Sequence, residues 1–590
     1  MRMFPAVFAA FLAAAWATTA AAADLSLVLL HTNDMHSRFD ETDVYCNECR
    51  EDDAALGKCY GGFARIAETV RQEKQNATDR GLPSLFMVAG DTFQGTAYFS
   101  FFKWKPCVDF IRELKPDIMT LGNHEFDDGV TNLVSYLKGI NTTIIPTVVS
   151  NLNMTAEPEL NELVSTSHVF TINNTKVGVV GYLTTDTPTI SNTGAVEFYD
   201  EIECLKKETK KLRDAGVNII IGLGHSGIEK DKIIAKEVEE IDLIVGGHSH
   251  TFLYSGKQPS IEKPYGPYPF YVTNVKNKPI PILQAYANTK YFGKVELRFD
   301  SNGVLVNING EPMIMDHNVK EDPSMLKVLD QWKPSVTKIT NVTVGRTVVE
   351  LLNICHQKEC NIGNLITDSF VYYNILTKVN YSEQFWTDAP ISLIQSGGIR
   401  TSISEVDHDG YITLGQLLNV IPFMNKLVKV TVSGQTLLEA FEHSVFDYMH
   451  GRGSGKFLQV SGVKVDYDLT QSPGNRILSM WIRCGNCAIP KYEPLALTAN
   501  YTIIMNDYLA GGGDDYKSFQ NIVKKTQILG IEDYNATATY MTAISPIMTG
   551  VDGRINFKIK DNVTPSSAST ANYSQFLLTV FTILLLSFNF

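Results

Sequence analysis

From residue 24 onward, short apolar runs alternate with stretches whose apolar residues recur every three or four positions. The runs are Leu25–Leu30, Leu85–Ala89, Ile118–Leu121, Lys176–Val180, Val217–Leu223 and Ile241–Val245. Between them, Ala64–Gln75 and Cys107–Leu114 carry the helical period. This strand–helix alternation predicts an α/β domain over residues 24–320. Within it, residues 255–290, rich in Pro, Tyr and Lys, predict a loop or hairpin. That segment leads to strands near Ile282–Ala285 and Gly293–Phe299. Residues 321–340 read as a linker, helical around Met325–Trp332 and interrupted at Pro334. A second domain of mixed helices and strands follows over residues 341–558. Its predicted helices are Asn361–Leu376, Leu414–Val420 and Gly434–Tyr448. Its predicted strands are Ile391–Ile394, Leu427–Val432, Lys464–Tyr467 and Thr502–Met505, with glycine loops at Ser396–Gly398 and Gly511–Gly513.

The two ends follow other rules. Residues 1–23 start with Arg2, continue in apolar residues and close on Ala21-Ala22-Ala23, the pattern of a cleaved secretory signal. Residues 559–590 are a polar stalk and an apolar tail from Phe576 to Phe590. A helix over those 15 tail residues rises only ~22 Å, short of a ~30 Å hydrocarbon core. Small residues, a spacer and a terminal apolar tail form the signal for a GPI anchor, with Ser566 or Ser567 as attachment point. Ten Asn-x-Ser/Thr sequons, among them Asn76, Asn141, Asn153, Asn173, Asn341, Asn380, Asn500 and Asn535, fit a glycosylated extracellular protein.

Composition narrows the class. An apolar fraction of 44% excludes a mostly disordered chain. A net charge of −13 with no basic block argues against nucleic acid as the main partner. In an oxidising compartment most of the nine cysteines should pair. Cys355–Cys360 and Cys484–Cys487 can close small loops, and Cys59 can pair with Cys46 or Cys49. The alternative for the C-x-x-C pairs at Cys46 and Cys484 is a zinc clip. An odd count leaves at least one thiol unpaired within the chain.

Five apolar runs end in potential metal ligands. They lead to Asp34-Met-His36, Gly90-Asp91, Gly122-Asn123-His124-Glu125, Gly224-His225 and Gly247-His248-Ser249-His250. In α/β sheets ligands gather beyond the carboxyl ends of strands. Asp34, His36, Asp91, Asn123, His225, His248 and His250 can therefore surround one crevice. Imidazole with carboxylate and amide oxygen suits zinc, manganese or iron better than calcium. Seven ligands exceed one tetrahedral site and point to two ions, most simply zinc, bridged by Asp91. Such a pair, ~3.5–4 Å apart, clamps both oxygens of an in-line displacement.

The ordered series resembles the metallophosphoesterases. Further matches are Cys360-Asn361-Ile362-Gly363-Asn364, Gly397-Gly398-Ile399-Arg400, Pro422-Phe423, Phe457–Gly462 and Leu509–Asp514. With them, essentially the whole mature chain is similar to the 5′-nucleotidase family. That family includes GPI-anchored ecto-5′-nucleotidases, the nearest resemblance, and the salivary apyrases of blood feeders. The resemblance implies an α/β/β/α four-layer metal domain, a linker helix, an α/β substrate domain and a homodimer. One ion would take Asp34, His36, Asp91 and His250, the other Asp91, Asn123, His225 and His248. His124 and Asp127 match the catalytic pair. Phe423 and Tyr508 match the aromatic pair that sandwiches the base, Asp514 the acid on the ribose hydroxyls, and Arg400 a phosphate-binding arginine. Two positions depart from the ecto-5′-nucleotidase pattern. His356 stands for a second phosphate-binding arginine, and Gln395 for an asparagine that contacts the base. The implied activity is hydrolysis of nucleoside 5′-monophosphates, AMP to adenosine and phosphate, by a metal-activated water at the cell surface. An apyrase acting on ATP and ADP is the alternative that His356 and Gln395 keep open. A catalytically dead adhesion protein is a third, disfavoured because every metal position is filled.

Overall fold

The computed structural model describes residues 24–49, 51–377, 385–448, 453–520 and 527–558. The leader of residues 1–23, the sequon at Asn380, the apolar tail and Ser566 and Ser567 lie outside the described residues. Among the described residues, no helix is long and apolar enough to cross a membrane.

Two six-stranded sheets build the first half of the chain. One runs in the order Leu305–Asn309, Tyr291–Phe299, Leu25–Thr32, Ser84–Ala89, Ile118–Thr120, with Met313–Ile314 as a sixth strand also paired to Tyr291–Phe299. The other runs Phe270–Thr273, Pro279–Leu283, Leu243–Val245, Ile219–His225, Thr175–Leu183, Ser167–Ile172. Alternation along each strand decides which side chains meet. Leu25, Leu27 and Leu29 of the first sheet share a buried cluster with Val177, Val179, Ile219 and Ile221 of the second. The outer face of the first sheet packs Val28, Leu30, Phe86 and Val88 against Ile66, Val70, Phe110 and Leu137 from three helices. The outer face of the second packs Val180, Ile220 and Ile244 against Leu205, Leu212 and Ile234. The result is helix, sheet, sheet, helix. Central strands covered on both faces read as continuous apolar runs, which is why they stand out in the sequence. The hairpin expected in residues 255–290 forms from Phe270–Thr273 and Pro279–Leu283.

Pro323–Thr340 is one helix, not a helix interrupted at Pro334. Asp322 caps it by accepting from the Ser324 and Met325 N–H groups, and Pro323 occupies the first turn, where no N–H is needed. Pro334 removes only the bond to the carbonyl of residue 330. Asp330 is exposed, so water can reach that carbonyl. Met325, Leu329 and Val336 meanwhile hold the other side of the helix in the core. The Trp332 indole donates to Asp109 at 3.1 Å, and Lys333 lies 2.8 Å from Asp40.

The second half centres on a five-stranded sheet in the order Leu458–Ser461, Ile391–Gln395, Asn500–Asn506, Lys426–Ser433, Gln527–Glu532. Helix Asn361–Leu376 covers one face, with Leu365, Ile366 and Phe370 packed near Ile394, Leu427 and Ile504. Helix Gly434–Ser444 covers the other, with Leu437 and Phe441 against Val428, Val430 and Ile503. This second helix stops four residues before the expected Tyr448. Val445 leaves helical geometry at φ −114°, and the buried Arg476 guanidinium takes the carbonyls of Val445, Phe446 and Tyr448 beyond the helix end.

Disulfides join Cys49–Cys59, Cys355–Cys360 and Cys484–Cys487. Neither C-x-x-C is therefore a zinc clip. Cys46, Cys107 and Cys204 remain thiols. No described sequon asparagine is buried. Ile221 lies between the sheets with no exposed surface. Ile221→Ala should cost about 2–5 kcal/mol, read as a lower thermal midpoint in chelator-treated protein so that metal binding does not mask it.

Candidate functional site

The strand ends of both sheets meet at one edge, and all seven expected ligands converge there. Asp34, Asp91 and His225 are fully or almost fully buried. His36 Nε2 lies 2.9 Å from His250 Nε2 and 3.9 Å from Asp91 Oδ2, and His250 Nε2 lies 3.4 Å from Asp34 Oδ1. On the other side His225 Nε2 lies 3.0 Å from Asp91 Oδ2, and His248 Nδ1 lies 2.8 Å from Asn123 Oδ1. Asp91 belongs to both groups.

Backbone geometry aims these side chains. Asp34, His36, Asp91, His248 and His250 all hold positive φ, between 48° and 76°. Non-glycine residues pay about 1–3 kcal/mol each for such strain, so the surroundings must enforce it. The Asp34 and His36 N–H groups donate to the carbonyls of Gly90 and Asp91, at 3.1 and 3.0 Å. The His248 N–H donates to the Asp34 carboxylate at 3.0 Å. A Cβ on Gly122 would sit 2.1 Å from Asp91 Oδ1, so only glycine leaves the carboxylate in place.

The donor set fits divalent ions. His225 Nδ1 donates to the Ala89 carbonyl at 2.7 Å and His36 Nδ1 to the Phe93 carbonyl at 3.2 Å. That choice of tautomer leaves each Nε2 lone pair directed inward. His225 Nε2 is buried and close to Asp91 yet not aligned for a hydrogen bond, which is the geometry of two donors facing a shared cation. The electrostatics agree. Burial works against charge on His225, but Asp91 and Asp34 override it and raise the ring to about 10. The carboxylates thus demand positive charge at this point.

His124 and Asp127 are the expected pair. His124 Nδ1 and Asp127 Oδ2 are 2.7 Å apart, spanning a single 3-10 turn, His124–Phe126. Burial opposes the His124 charge, but Asp127 and then Asp91 outweigh it and raise its pKa. Two residues absent from the sequence analysis, Gln94 and Ser191, and one quoted there without a role, Glu125, complete this corner. Gln94 Nε2 donates to Asp127 Oδ2 at 3.1 Å, and Ser191 Oγ lies 2.8 Å from both Asp127 Oδ1 and the Asn123 carbonyl. Glu125, fully buried, accepts from the N–H groups of Gly122, Asp91, Thr92 and Phe93 at 2.6–3.1 Å. It ties the Asn123 loop to the Asp91 loop. Its neighbours in space are backbone groups, which leave no residue pattern to detect.

A cleft of about 1180 Å³ opens over the metal edge. Both halves of the chain line it. His124, Asp127, His248 and His250 face His356, Gln395, Arg400, Phe423, Tyr508 and Asp514. Phe423 stands 5.8 Å from the His124 ring, and the Arg400 guanidinium lies 5.9 Å over the Phe423 face. Gln395 is held by Asn506, whose amide donates to it at 3.3 Å. The Tyr508 hydroxyl accepts from the Asp514 N–H at 3.1 Å and reaches across to the Thr189 carbonyl at 3.3 Å. The Gly511–Gly513 loop lies on the Tyr508 ring, and a Cβ at Gly513 would sit 2.5 Å from it. Burial raises Asp514 to about 6, against the Tyr508 hydrogen bond. Burial, then Arg400, lowers His356 to about 4, so this ring is neutral at pH 7. Its Nδ1 is 3.0 Å from Ser396 Oγ.

Residues 27–252 match the calcineurin-like phosphoesterase family, and residues 338–521 match the 5′-nucleotidase C-terminal domain. The chain is 40% identical over 563 residues to Protein 5NUC of Lutzomyia longipalpis, covering 94% of this chain and 97% of that one. It is 37% identical over 544 residues to the 5′-nucleotidase of Homo sapiens, covering 91% and 92%. Among solved structures, the 5′-nucleotidase precursor of Thermus thermophilus superimposes with a TM-score of 0.80 at 31% identity, over 90% of this chain and 99% of that one.

Glu125→Gln turns one of the oxygens facing these N–H donors into an NH2 group. It should weaken metal binding by about 10–100-fold, as read by competition with a chromogenic chelator, because Asp91 and Asn123 lose their common anchor.

Proposed function

The chain belongs to the 5′-nucleotidase family, and we propose from this that it hydrolyses nucleoside 5′-monophosphates, AMP first, outside the cell. The observation that carries the reading is the single cleft shared by the metal-ligand edge of one half and the aromatic, amide and guanidinium side chains of the other. Two divalent ions, taken as zinc from the imidazole-rich donor set, would be held by the two quartets around Asp91 and would supply Lewis acidity for in-line displacement at phosphorus.

The protein's own groups do the rest. Arg400 grips the phosphate, its planar guanidinium matching two oxygens at once. His124 donates to a phosphoryl oxygen as negative charge develops, with Asp127 fixing its ring and favouring its charged form. Gln94 and Ser191 hold Asp127 in turn. Phe423 and Tyr508 take the base between aromatic faces, Gln395 offers it an amide, and Asp514 accepts from the ribose hydroxyls. His356 is neutral and adds a hydrogen-bonding group without charge, so Arg400 is the main side-chain cation for one phosphate. The helix Pro323–Thr340 lets the second domain swing over the substrate. A cleaved leader, a lipid attachment at Ser566 or Ser567, surface glycans and a homodimer complete the proposed cell-surface enzyme.

The test is phosphate release from AMP, ADP and ATP by chain lacking residues 567–590. Release from AMP that chelator abolishes and zinc restores is the expected result. Asp127→Asn should lower kcat about 100-fold with KM little changed. Phe423→Ala should raise KM about tenfold, the value of one lost stacking face. Release from ADP and ATP with AMP spared would make it an apyrase. Silence on all three by metal-loaded protein would leave a non-catalytic surface protein.

A further inference from the structure

A smaller chamber of about 170 Å³ adjoins the cleft on the His36 side of the metal edge. It shares His250, His356 and Arg400 with the cleft, and it extends between the two halves past Arg38, Thr401 and Tyr45. The two spaces differ in charge. Seven aspartates, from Asp91 to Asp515, line the larger cleft against three cations, Lys103, Arg400 and Lys456. No aspartate or glutamate is among the described residues that line the chamber, whereas two arginines are.

Arg38 is fixed in the wall. Its guanidinium donates to the carbonyls of Cys46 at 3.1 Å, His36 at 3.4 Å and Gly95. These hydrogen-bond partners are neutral; Asp43 offsets part of the Arg38 charge, and Asp91, Asp127, Asp34 and Asp514 part of that of Arg400. Arg400 likewise donates to a carbonyl, that of Gly397 at 3.3 Å. Burial lowers Arg38 to about 10, and the charge of Arg400 acts in the same direction. Two guanidiniums brought to one chamber repel each other until an anion joins them. A water takes up roughly 30 Å³, so the chamber holds a five-atom oxyanion and a few waters but no nucleoside. At its outer side Tyr45 is 39% exposed, and the Tyr45 carbonyl is held by Thr401 Oγ1 at 3.1 Å.

We propose that this chamber is a second oxyanion site, which takes the orthophosphate product from the metal edge and releases it past Tyr45. The inference rests on the phosphomonoesterase reading for the identity of the anion, but not for the existence of the site. The nucleoside then leaves by the wide cleft and the phosphate by the narrow one.

The probe is inorganic phosphate, applied to the full chain with metals loaded and after chelator treatment, with bound phosphate counted by equilibrium dialysis. About one phosphate per chain should bind without metal and about two with metal. Arg38→Gln should weaken the metal-independent site about tenfold, the worth of one charge-assisted contact. Tyr45→Glu, at a half-exposed position, should do the same by placing a carboxylate at the mouth. This variant keeps the test decisive if loss of the Arg38 contact to the His36 carbonyl impairs folding. In turnover, both should relieve inhibition by phosphate with KM for the nucleotide held within twofold. Absence of phosphate binding after chelation, or binding that Tyr45→Glu leaves unchanged, would overturn the site. Binding to the chelated chain together with failure on every nucleotide would keep the chamber and discard the substrate assignment.

Discussion

Everything at the site depends on two acids and four imidazoles held within a few ångströms while most of the ligand backbone is strained. Asp34, Asp91, His36 and His225 are buried, and Asp34, His36, Asp91, His248 and His250 hold left-handed backbone. Neither state is stable alone. Converging carboxylates repel, and strain of this kind survives only where surrounding bonds over-determine it. The fold answers the second demand with interlocked loops, in which Asp34 and His36 donate to Gly90 and Asp91 and Glu125 gathers four N–H groups. The first demand is left to cations. The rise of the His225 pKa under Asp91 and Asp34, against its burial, points the same way.

The four-layer arrangement is the means of bringing these loops together. Each central strand is apolar on both faces, so two sheets can stack and bring their carboxyl ends to one edge. The second half then needs only to present its own strand ends to the same edge. Gln395 and Arg400 follow one strand, and Tyr508 follows its parallel neighbour. Helix Pro323–Thr340 sets the distance between the halves. Its buried side belongs to the same cluster as Leu417 and Leu418 of the second half and Phe110 of the first. The Tyr508–Thr189 contact closes the cleft mouth, and the Thr189 segment also carries Ser191 to Asp127. Docking of the second half is thereby mechanically continuous with the orientation of the His124–Asp127 pair.

The legible part of this was legible for a physical reason. A strand buried on both faces leaves an unbroken apolar run, and a polar residue at its end, in most of these cases directly after a glycine, is conspicuous. Hence Asp34, Asp91, Asn123, His225 and His248 could be placed from sequence, and the structure gathers them. Side chains whose partners are backbone could not. Glu125 binds only N–H groups, and Ser191 and Gln94 reach Asp127 from separate loops with no spacing in common. Pro334 misled because the propensity argument ignores which side of a helix faces water. The end of helix Gly434–Ser444 was missed because the turn that follows it is held by Arg476, some thirty residues later, through the Val445 and Phe446 carbonyls. Cys46 and Cys49 both lie within loop-closing reach of Cys59 in sequence, and the turn at Asp43–Asn47 separates a buried thiol from a disulfide partner.

Charge also sorts the two openings of the site. A monoester and its two products differ in where charge resides, since the nucleoside is neutral and the phosphate carries all of it. A cleft rich in aspartate tolerates a phosphate only while cations and Arg400 neutralise it, which favours one phosphate over a chain of them. His356, neutral because burial and Arg400 hold it near 4, adds nothing to that neutralisation. Beside it the Arg38 chamber offers the reverse field across a single wall of shared side chains, His250, His356 and Arg400. A charged product formed at that wall therefore sits between the aspartates of the cleft and the buried Arg38 guanidinium, which three backbone carbonyls hold in place. Fixed groups need no reorganisation when the charge moves, so directed release follows from placement rather than from motion.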